Sequence, residues 1–174
     1  MSIKVHGLMI AAALTVSTAS LVVCQPVHSS MVTNEILLPP CELVSTTEAV
    51  SALGERVSGP MVGVVPEAPG ARACWWKNSN GIVALTITFV PRMRVSPATF
   101  YEQTVGNLAP RRFLHPVAGL GRGAIEVEPG APSGSIVFKK NGEGVMVFIP
   151  GSGISEKIVQ HALIILATEA WRKL

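Results

Sequence analysis

The sequence predicts an α+β domain, a mostly antiparallel sheet of about five strands with helices packed on it, in the order α-β-β-α-β-β-β-α. Two Asn/Gly turns between apolar runs, at 78–81 and at Asn141-Gly142, are typical of β-hairpins. Apolar residues also recur at helical spacing near both ends of the domain. Because hairpins join neighbouring strands, these signals favour an antiparallel sheet.

Three segments carry helix signals. In the first, residues 43–57, Ser45 is a predicted N-cap and Glu48 completes a capping box. A second helix is expected to begin at Ser96, with a proline in its first turn. The last helix is expected to begin at Ser155. Its predicted inward stripe comprises Ile158, Ala162, Leu166 and Ala170, with Leu163 and Trp171 beside it.

Five short segments have the composition of strands: 72–77, 82–90, 124–128, 135–140 and 145–149. In the second of them, larger apolar residues alternate with Ala84, Thr86 and Thr88, which predicts one buried face and one wet face. Two Pro/Gly-rich segments, 59–70 and 110–123, are expected to be loops.

The first residues are typical of an export signal. Lys4 precedes an uncharged apolar stretch, 8–23, that is shorter than the ~20 residues of a membrane-spanning helix. We therefore expect a signal peptide at 1–23, a tether at 24–38 and a single domain at 39–174. The mature protein is expected on the outer face of the cytoplasmic membrane, elsewhere in the cell envelope, or secreted.

Three cleavage sites compete in this segment. Small residues ending at Ala19 suit an ordinary signal peptidase, and a weaker site lies around Ser29 and Ser30. The third alternative makes Cys24 a lipidated first residue with LVVC as the lipobox. Val23 departs from that pattern, because Gly, Ala or Ser is usual there. A lipid on Cys24 would anchor the domain to the membrane.

The cysteine count bears on these alternatives. Three cysteines in an exported protein leave one over after a single disulfide. Lipidation of Cys24, or late cleavage that removes it, leaves Cys41 and Cys74 as a pair, whereas cleavage after Ala19 leaves a spare thiol. The first two alternatives predict a Cys41–Cys74 disulfide.

Composition excludes several kinds of catalytic site. All eleven acidic residues are Glu, so aspartic-protease dyads, EF-hand loops and Ser-His-Asp triads are absent. The net charge of +3 is too small to imply nucleic acid as a partner. The basic doublets Arg111-Arg112 and Lys139-Lys140 are interpreted as ordinary solvated surface.

Four stretches, in order, resemble a family of small actinobacterial exported lipoproteins known only as a domain of unknown function. PPCELVSTTEAVSALG is similar to its Pro-Cys opening, ACWW to its Cys-x-Trp, PVAGLG to its Gly-Leu-Gly turn and SIVFKKNGEGVMVFI to its closing hairpin. The likeness covers about residues 39–171. Arg122 departs from it, because members carry Asp there. The order of elements also resembles the Mog1/PsbP-type scaffold. The resemblance implies an exported, disulfide-closed and usually lipid-anchored domain with no established catalytic residues.

Trp75, Trp76 and Arg122 are the candidate binding residues. Consecutive strand residues point to opposite faces, so one tryptophan is expected in the core. The other is expected either under a helix or exposed as an anchor for a protein partner. Arg122 lies in the turn GLGRG, which lacks the Lys-Ser/Thr of a phosphate-binding loop.

Glu126 and Glu128 raise the alternative of a small exported hydrolase. Two residues apart on a strand, their carboxylates would share a face about 7 Å apart, a spacing compatible with glycoside hydrolysis. The neighbouring apolar residues are expected to take the buried face and leave both Glu in water, which weakens this alternative.

Other polar side chains are weaker candidates. Cys74 as a nucleophile would need a base, and nothing places His115 or His161 beside it. The two histidines lack metal-ligand spacing, so no metal or cofactor is expected. Arg92 and Arg94 are two apart, so on an extended segment they would share one face and hold an anion.

The sequence therefore favours a non-enzymatic cell-envelope domain, a lipoprotein through Cys24, that binds an envelope protein or a small envelope ligand. The loops at 59–70 and 110–123 and an exposed tryptophan are the expected contact regions. The alternatives are the hydrolase with the Glu pair and a structural or inhibitory lipoprotein that blocks a partner enzyme.

Overall fold

The structure, a computed structural model, describes residues 40–66, 68, 70–105, 114–127, 133–151 and 153–174. The helices are α1 (Pro40–Leu43), α2 (Thr46–Leu53), α3 (Pro97–Val105) and α4 (Glu156–Lys173). The strands are β1 (Val57–Val64), β2 (Arg72–Asn78), β3 (Val83–Val90), β4 (Leu114–Pro116), β5 (Ile125–Val127), β6 (Gly134–Lys140) and β7 (Glu143–Ile149). The expected signal peptide, the tether and Cys24 lie outside the described residues.

The described strands form one seven-stranded sheet in the order β1-β2-β3-β7-β6-β5-β4, and each neighbouring pair is antiparallel. The predicted fold class is therefore wrong in its count of about five strands and in its order of elements, since the chain runs α-α-β-β-β-α-β-β-β-β-α. The two strands that the sequence did not predict, β1 and β4, are the two edges of the sheet.

Both edge strands contain proline, and β1 also contains glycine, so the sequence lacks the usual signal of a strand there. β1 contains Gly59 and Pro60 at a register shift between Ser58 and Met61, and β4 ends at Pro116. Proline is tolerated at an edge because one side of the strand has no ladder to complete. The segment 59–70, expected to be a loop, therefore begins as a strand.

Helix α2 begins as predicted but ends earlier. The Ser45 hydroxyl accepts a hydrogen bond from the Glu48 amide at 3.2 Å, and the Glu48 carboxylate accepts one from the Ser45 amide at 2.6 Å, so the capping box is confirmed. Gly54 ends the helix in the left-handed conformation with φ 69°, which suits a residue without a Cβ. Val57, predicted on this helix, is instead the first residue of β1.

The two faces of the sheet carry different layers. The helix face, defined as the one that packs against α1, α2 and α4, holds the larger core, in which Trp76 and Leu85 are fully buried. The opposite side, the α3 face, holds a smaller cluster: Met93, Phe100, Tyr101, Ile125, Val127, Val137 and Met146. Burial raises the pKa of the Tyr101 phenol in this cluster.

The disulfide between Cys41 and Cys74 is confirmed. Its sulfurs are 2.08 Å apart and its Cα atoms 5.3 Å apart, and it joins α1 to the middle of β2. Because Cys74 is oxidised and buried, its sulfur is not a free thiol and the nucleophile alternative fails.

The expected wet face of the second predicted strand is wrong at two of its three residues, and the third, Thr86, is half-buried. Ala84 and Thr88 are 4% and 2% exposed. The strand concerned, β3, lies between β2 and β7 near the middle of the sheet, where parts of both faces are buried. A period-2 pattern indicates a half-exposed strand only when one of its faces meets water.

Helix α4 buries the predicted stripe from Ala162 onward, and only the first predicted position, Ile158, is wrong. Ile158 is 44% exposed, and Ser155 is the N-cap without a side-chain hydrogen bond to the helix. The residues that face the sheet are Val159, Ala162, Leu163, Leu166, Ala167 and Ala170. Within the described ranges, no helix is both long and apolar enough to cross a membrane.

Candidate functional site

Three cations from distant parts of the chain meet at one end of the sheet. β3 ends beside the turn between β6 and β7, because Val90 pairs with Gly144 and Gly144 pairs with Lys139. Residues that follow β3 therefore lie beside that turn. The two segments together form a cleft of about 600 Å³, here named the basic cleft. It is lined by Arg92, Met93, Arg94, Lys139, Asn141, Gly142 and Glu143.

Met93 explains why both arginines line the cleft. The Met93 side chain is 3% exposed and lies against Gly144, where a Cβ would collide with it. Arg92 and Arg94, on either side of this buried anchor, are both exposed. Both arginines line the same cleft, although Arg92 lies in a turn and not in the extended segment that the sequence predicts. Arg92 has φ 53°, a left-handed conformation that costs a non-glycine residue on the order of 1 kcal/mol.

The opposite wall of the cleft is a tight hairpin. Asn141 and Gly142 both have positive φ, 53° and 86°, as a two-residue turn of the favoured primed type requires. This turn holds Lys139 on the strand beside the cleft. Lys139 was predicted to be ordinary surface, and no local sequence signal links it to Arg92. The pairing of β6 with β7 and of β7 with β3 makes that link.

Two further cations, Lys140 and Arg122, lie at the same end of the sheet without lining the basic cleft. The Lys140 ammonium donates a hydrogen bond to the Trp171 carbonyl at 2.6 Å and lies 5.0 Å from the centre of the indole ring. Arg122, exposed, follows Gly121, whose Cβ position is 3.5 Å from the Lys139 carbonyl oxygen. The predicted binding residue Arg122 is therefore near the cleft although it does not line it.

The two predicted tryptophans lie on opposite faces, as expected. Trp76 is fully buried on the helix face, and its indole N–H donates to the Thr46 hydroxyl at 3.2 Å. Trp75 is half-buried on the α3 face, and its ring lies over Gly63 of the edge strand β1. Trp76 is thus a core residue and not a contact residue.

A second cavity, the apolar groove, lies between the end of α2 and the first half of α4. It has a volume of about 680 Å³. Ile158 and Ile164 line it and are 44% and 48% exposed. Leu53 also lines it and is almost fully buried. His161, expected to pack or lie at the surface, is exposed and lines this groove.

The remaining candidates are not brought together as a reactive site. Glu126 pairs across the ladder with His115, while Ile125 and Val127 are buried on the other face. Glu128, the second carboxylate of the hydrolase alternative, lies outside the described residues. In the part of the chain that the structure describes, no group of three His, Cys or Glu residues can hold a metal ion.

No family model matches this chain, and no curated protein matches it. Among solved structures, the chain is similar to a GTP-binding regulator from Thermotoga maritima, with 11% identity and a TM-score of 0.34. The match covers 74% of this chain and 92% of that one. At this TM-score the likeness carries no argument about fold or function. The resemblance to the exported lipoprotein family therefore stays a prediction.

Proposed function

We propose that this protein is an exported, non-enzymatic domain of the cell envelope, anchored by a lipid on Cys24, that binds a small anionic envelope ligand in the basic cleft. The observation that carries the proposal is the convergence of Arg92, Arg94 and Lys139 around one open cavity. The Cys41–Cys74 disulfide supports export, because such bonds form and persist in oxidising compartments.

The chemistry of the cleft suits binding. Guanidinium groups form forked, charge-assisted hydrogen bonds with carboxylates and phosphates, and they stay protonated at physiological pH. A pair of arginines therefore holds an anion without exchanging protons with it. The amide side chain of Asn141 adds a neutral donor at the rim.

Titration with soluble anions tests the ligand class. Inorganic phosphate, glycerol phosphate and acetate would be added to the isotopically labelled protein while the side-chain Nε–H signals of the arginines are followed by NMR. We expect Arg92 and Arg94 to shift with the phosphates. In the double variant Arg92→Ala/Arg94→Ala, affinity should fall at least tenfold, since two charged hydrogen-bond donors are lost.

The matched control is Arg56→Ala/Lys77→Ala, which removes two cations at the other end of the sheet. Binding that is equally weak in both variants, or a protein that binds none of the three anions, would contradict the proposal. Intact mass of protein taken from native membranes tests its other half. A diacylglycerol-modified Cys24 as first residue is expected, and an uncleaved chain would refute export.

A further inference from the structure

We infer that the anion is the phosphate of an anionic phospholipid headgroup, and that the end of the domain with the basic cleft lies on the membrane surface. This inference rests on the proposed function, since it names the ligand of the same cleft. It depends on how charge is distributed between the two ends of the sheet.

The end with the cleft, here named the basic end, comprises the start of β2, the connection from β3 to α3, the 117–124 turn and the turn between β6 and β7. Among the described residues of these segments, the acidic side chain is that of Glu143. The cations there are Arg72, Arg92, Arg94, Arg122, Lys139 and Lys140. The described residues of these segments therefore carry an excess of positive charge that the small net charge of the whole chain conceals.

Two further cations near the basic end are already compensated. Arg172 is 2.7 Å from the Glu169 carboxylate, and Lys173 is 2.8 Å from the Glu48 carboxylate. The excess of positive charge is thus located in the cleft and its rim and not at the end of α4.

The opposite end of the sheet has a different balance. Arg56 follows Glu55, and Lys157 follows Glu156, so two of its cations have an acid as a chain neighbour. Lys77 is the third cation described there, near the end of β2. A negatively charged surface would therefore orient the domain with its basic end inward.

The exposure of the basic end suits a phosphate presented at a surface. Arg92, Arg94 and Arg122 are exposed, and so are Asn141 and Gly142 of the turn between β6 and β7. Each Lys or Arg close to an anionic membrane contributes roughly a fivefold gain in binding. A fully extended tether of 15 residues, as expected at 24–38, would reach about 50 Å, so a lipid on Cys24 permits this orientation.

Lysine footprinting on vesicles tests the inference with the full chain. Lys139 and Lys77 are both half-buried and lie at opposite ends, so their rates of acetylation form an internal comparison. The protein would be incubated with vesicles of phosphatidylcholine, with vesicles of phosphatidylcholine and phosphatidylglycerol in equal amounts, and with soluble glycerol phosphate. Mass spectrometry then gives the acetylation rate at each lysine.

We expect the phosphatidylglycerol vesicles to slow acetylation of Lys139 several-fold and to leave Lys77 unchanged, whereas phosphatidylcholine vesicles have no effect on either lysine. This result does not depend on anchoring, because a lipid or an apolar segment would insert into both kinds of vesicle. Raising the salt concentration to about 1 M, where the Debye length is about 3 Å, should abolish the protection.

In the variant Arg92→Glu/Arg94→Glu the protection of Lys139 should be lost, and in Arg56→Glu/Lys157→Glu it should persist. If the first variant does not fold, the comparison of Lys139 with Lys77 in the unmodified chain still decides the question.

The outcomes separate the two proposals. Protection of Lys139 by glycerol phosphate but not by phosphatidylglycerol vesicles would overturn the membrane inference and leave anion binding intact. No protection in any arm would overturn both. Equal protection by the two kinds of vesicle, or equal protection of Lys77, would show that the basic end does not recognise an anionic headgroup.

Discussion

The helix face and the α3 face of the same sheet are held together in different ways. On the helix face, a disulfide joins α1 to β2, the Trp76 indole donates to Thr46 on α2, and Lys173 of α4 pairs with Glu48 of α2. On the α3 face, the described contacts of the helix with the sheet are those of an apolar cluster. One wall of the basic cleft is the connection from β3 to α3, which leads into this face.

The two faces therefore differ in the kind of contact that restrains their helices. Directional and covalent contacts hold the helix face. The arginines of the cleft, by contrast, lie on a connection whose side chain Met93 is buried between them. A site that must meet a ligand benefits from side chains that can adjust, and a core does not. The following changes test this division, from the largest expected effect to the smallest.

Replacing both Cys41 and Cys74 with Ala should lower the free energy of unfolding by about 3–4 kcal/mol. The bond spans 33 residues, and removing it releases the entropy of that loop in the unfolded chain. Urea denaturation of the unmodified and variant proteins measures the loss. Cys24→Ala is the control and should leave stability unchanged. A loss below about 1 kcal/mol would mean that the other contacts of the helix face suffice.

Two glycines compare the faces directly. In Gly134→Ala the new Cβ would lie 2.6 Å from a methyl carbon of Leu163, a buried residue of α4, and we expect a loss of roughly 1–3 kcal/mol. In Gly144→Ala the new Cβ meets Met93, an adaptable side chain on a connection, and the expected loss is roughly 1 kcal/mol or less.

Thermal and denaturant unfolding of both glycine variants measures the difference. The reverse order of stability would show that the α3 face is the more tightly packed of the two.

The N-caps offer a matched pair of smaller effects. Ser45 accepts from the Glu48 amide within a reciprocal capping box, while Ser96 accepts from the Thr99 amide at 3.1 Å without a described return bond from a Glu side chain. We expect Ser45→Ala to cost about 1 kcal/mol and Ser96→Ala somewhat less, by denaturant unfolding. Equal losses would indicate that the return bond contributes nothing measurable.

The smallest effect is a dependence of stability on pH. Burial acts to raise the pKa of Glu48, but hydrogen bonds from Lys173 and Ser45 outweigh it and leave the pKa lowered. The group therefore stabilises the fold above the ordinary pKa of 4.5, and this contribution is lost as the pH falls through the lowered value. Glu48→Gln should flatten the acid side of the stability profile.

Because Glu48 is near the surface, the change in that profile should be small. Glu169→Gln is the control, since Glu169 forms its ion pair with Arg172, three residues further along the same helix. An acid limb that flattens equally in both variants would assign the effect to general surface charge.

Local signals predicted those parts of the fold whose patterns are strong over a few residues. The hairpin at Asn141-Gly142, the capping box at Ser45 and the start of α3 at Ser96 and Pro97 are each determined by neighbouring residues. The two edge strands were not predicted because an edge strand tolerates proline, which a central strand excludes. The stripe of α4 is confirmed from Ala162 to Ala170, and only Ile158 was placed wrongly, because it is as apolar as the residues that are buried.

The site shows the same limit more sharply. The spacing of Arg92 and Arg94 predicts that they share a face, but their third partner, Lys139, is reached only through two strand pairings. Those pairings depend on the order of strands in the sheet, which no local pattern encodes. The pair Trp75 and Trp76 was predictable to the extent that alternation requires opposite faces, and which face meets the helices depends on the whole sheet.

The ring of Trp75 on Gly63 makes this tryptophan a built-in optical marker of the sheet's edge. Trp76 is sealed in the core, so a soluble quencher reaches Trp75 far more readily. Any event that separates β1 from β2, such as early unfolding or exchange of that strand with a neighbouring molecule, would uncover the ring of Trp75 and make it still more accessible to the quencher.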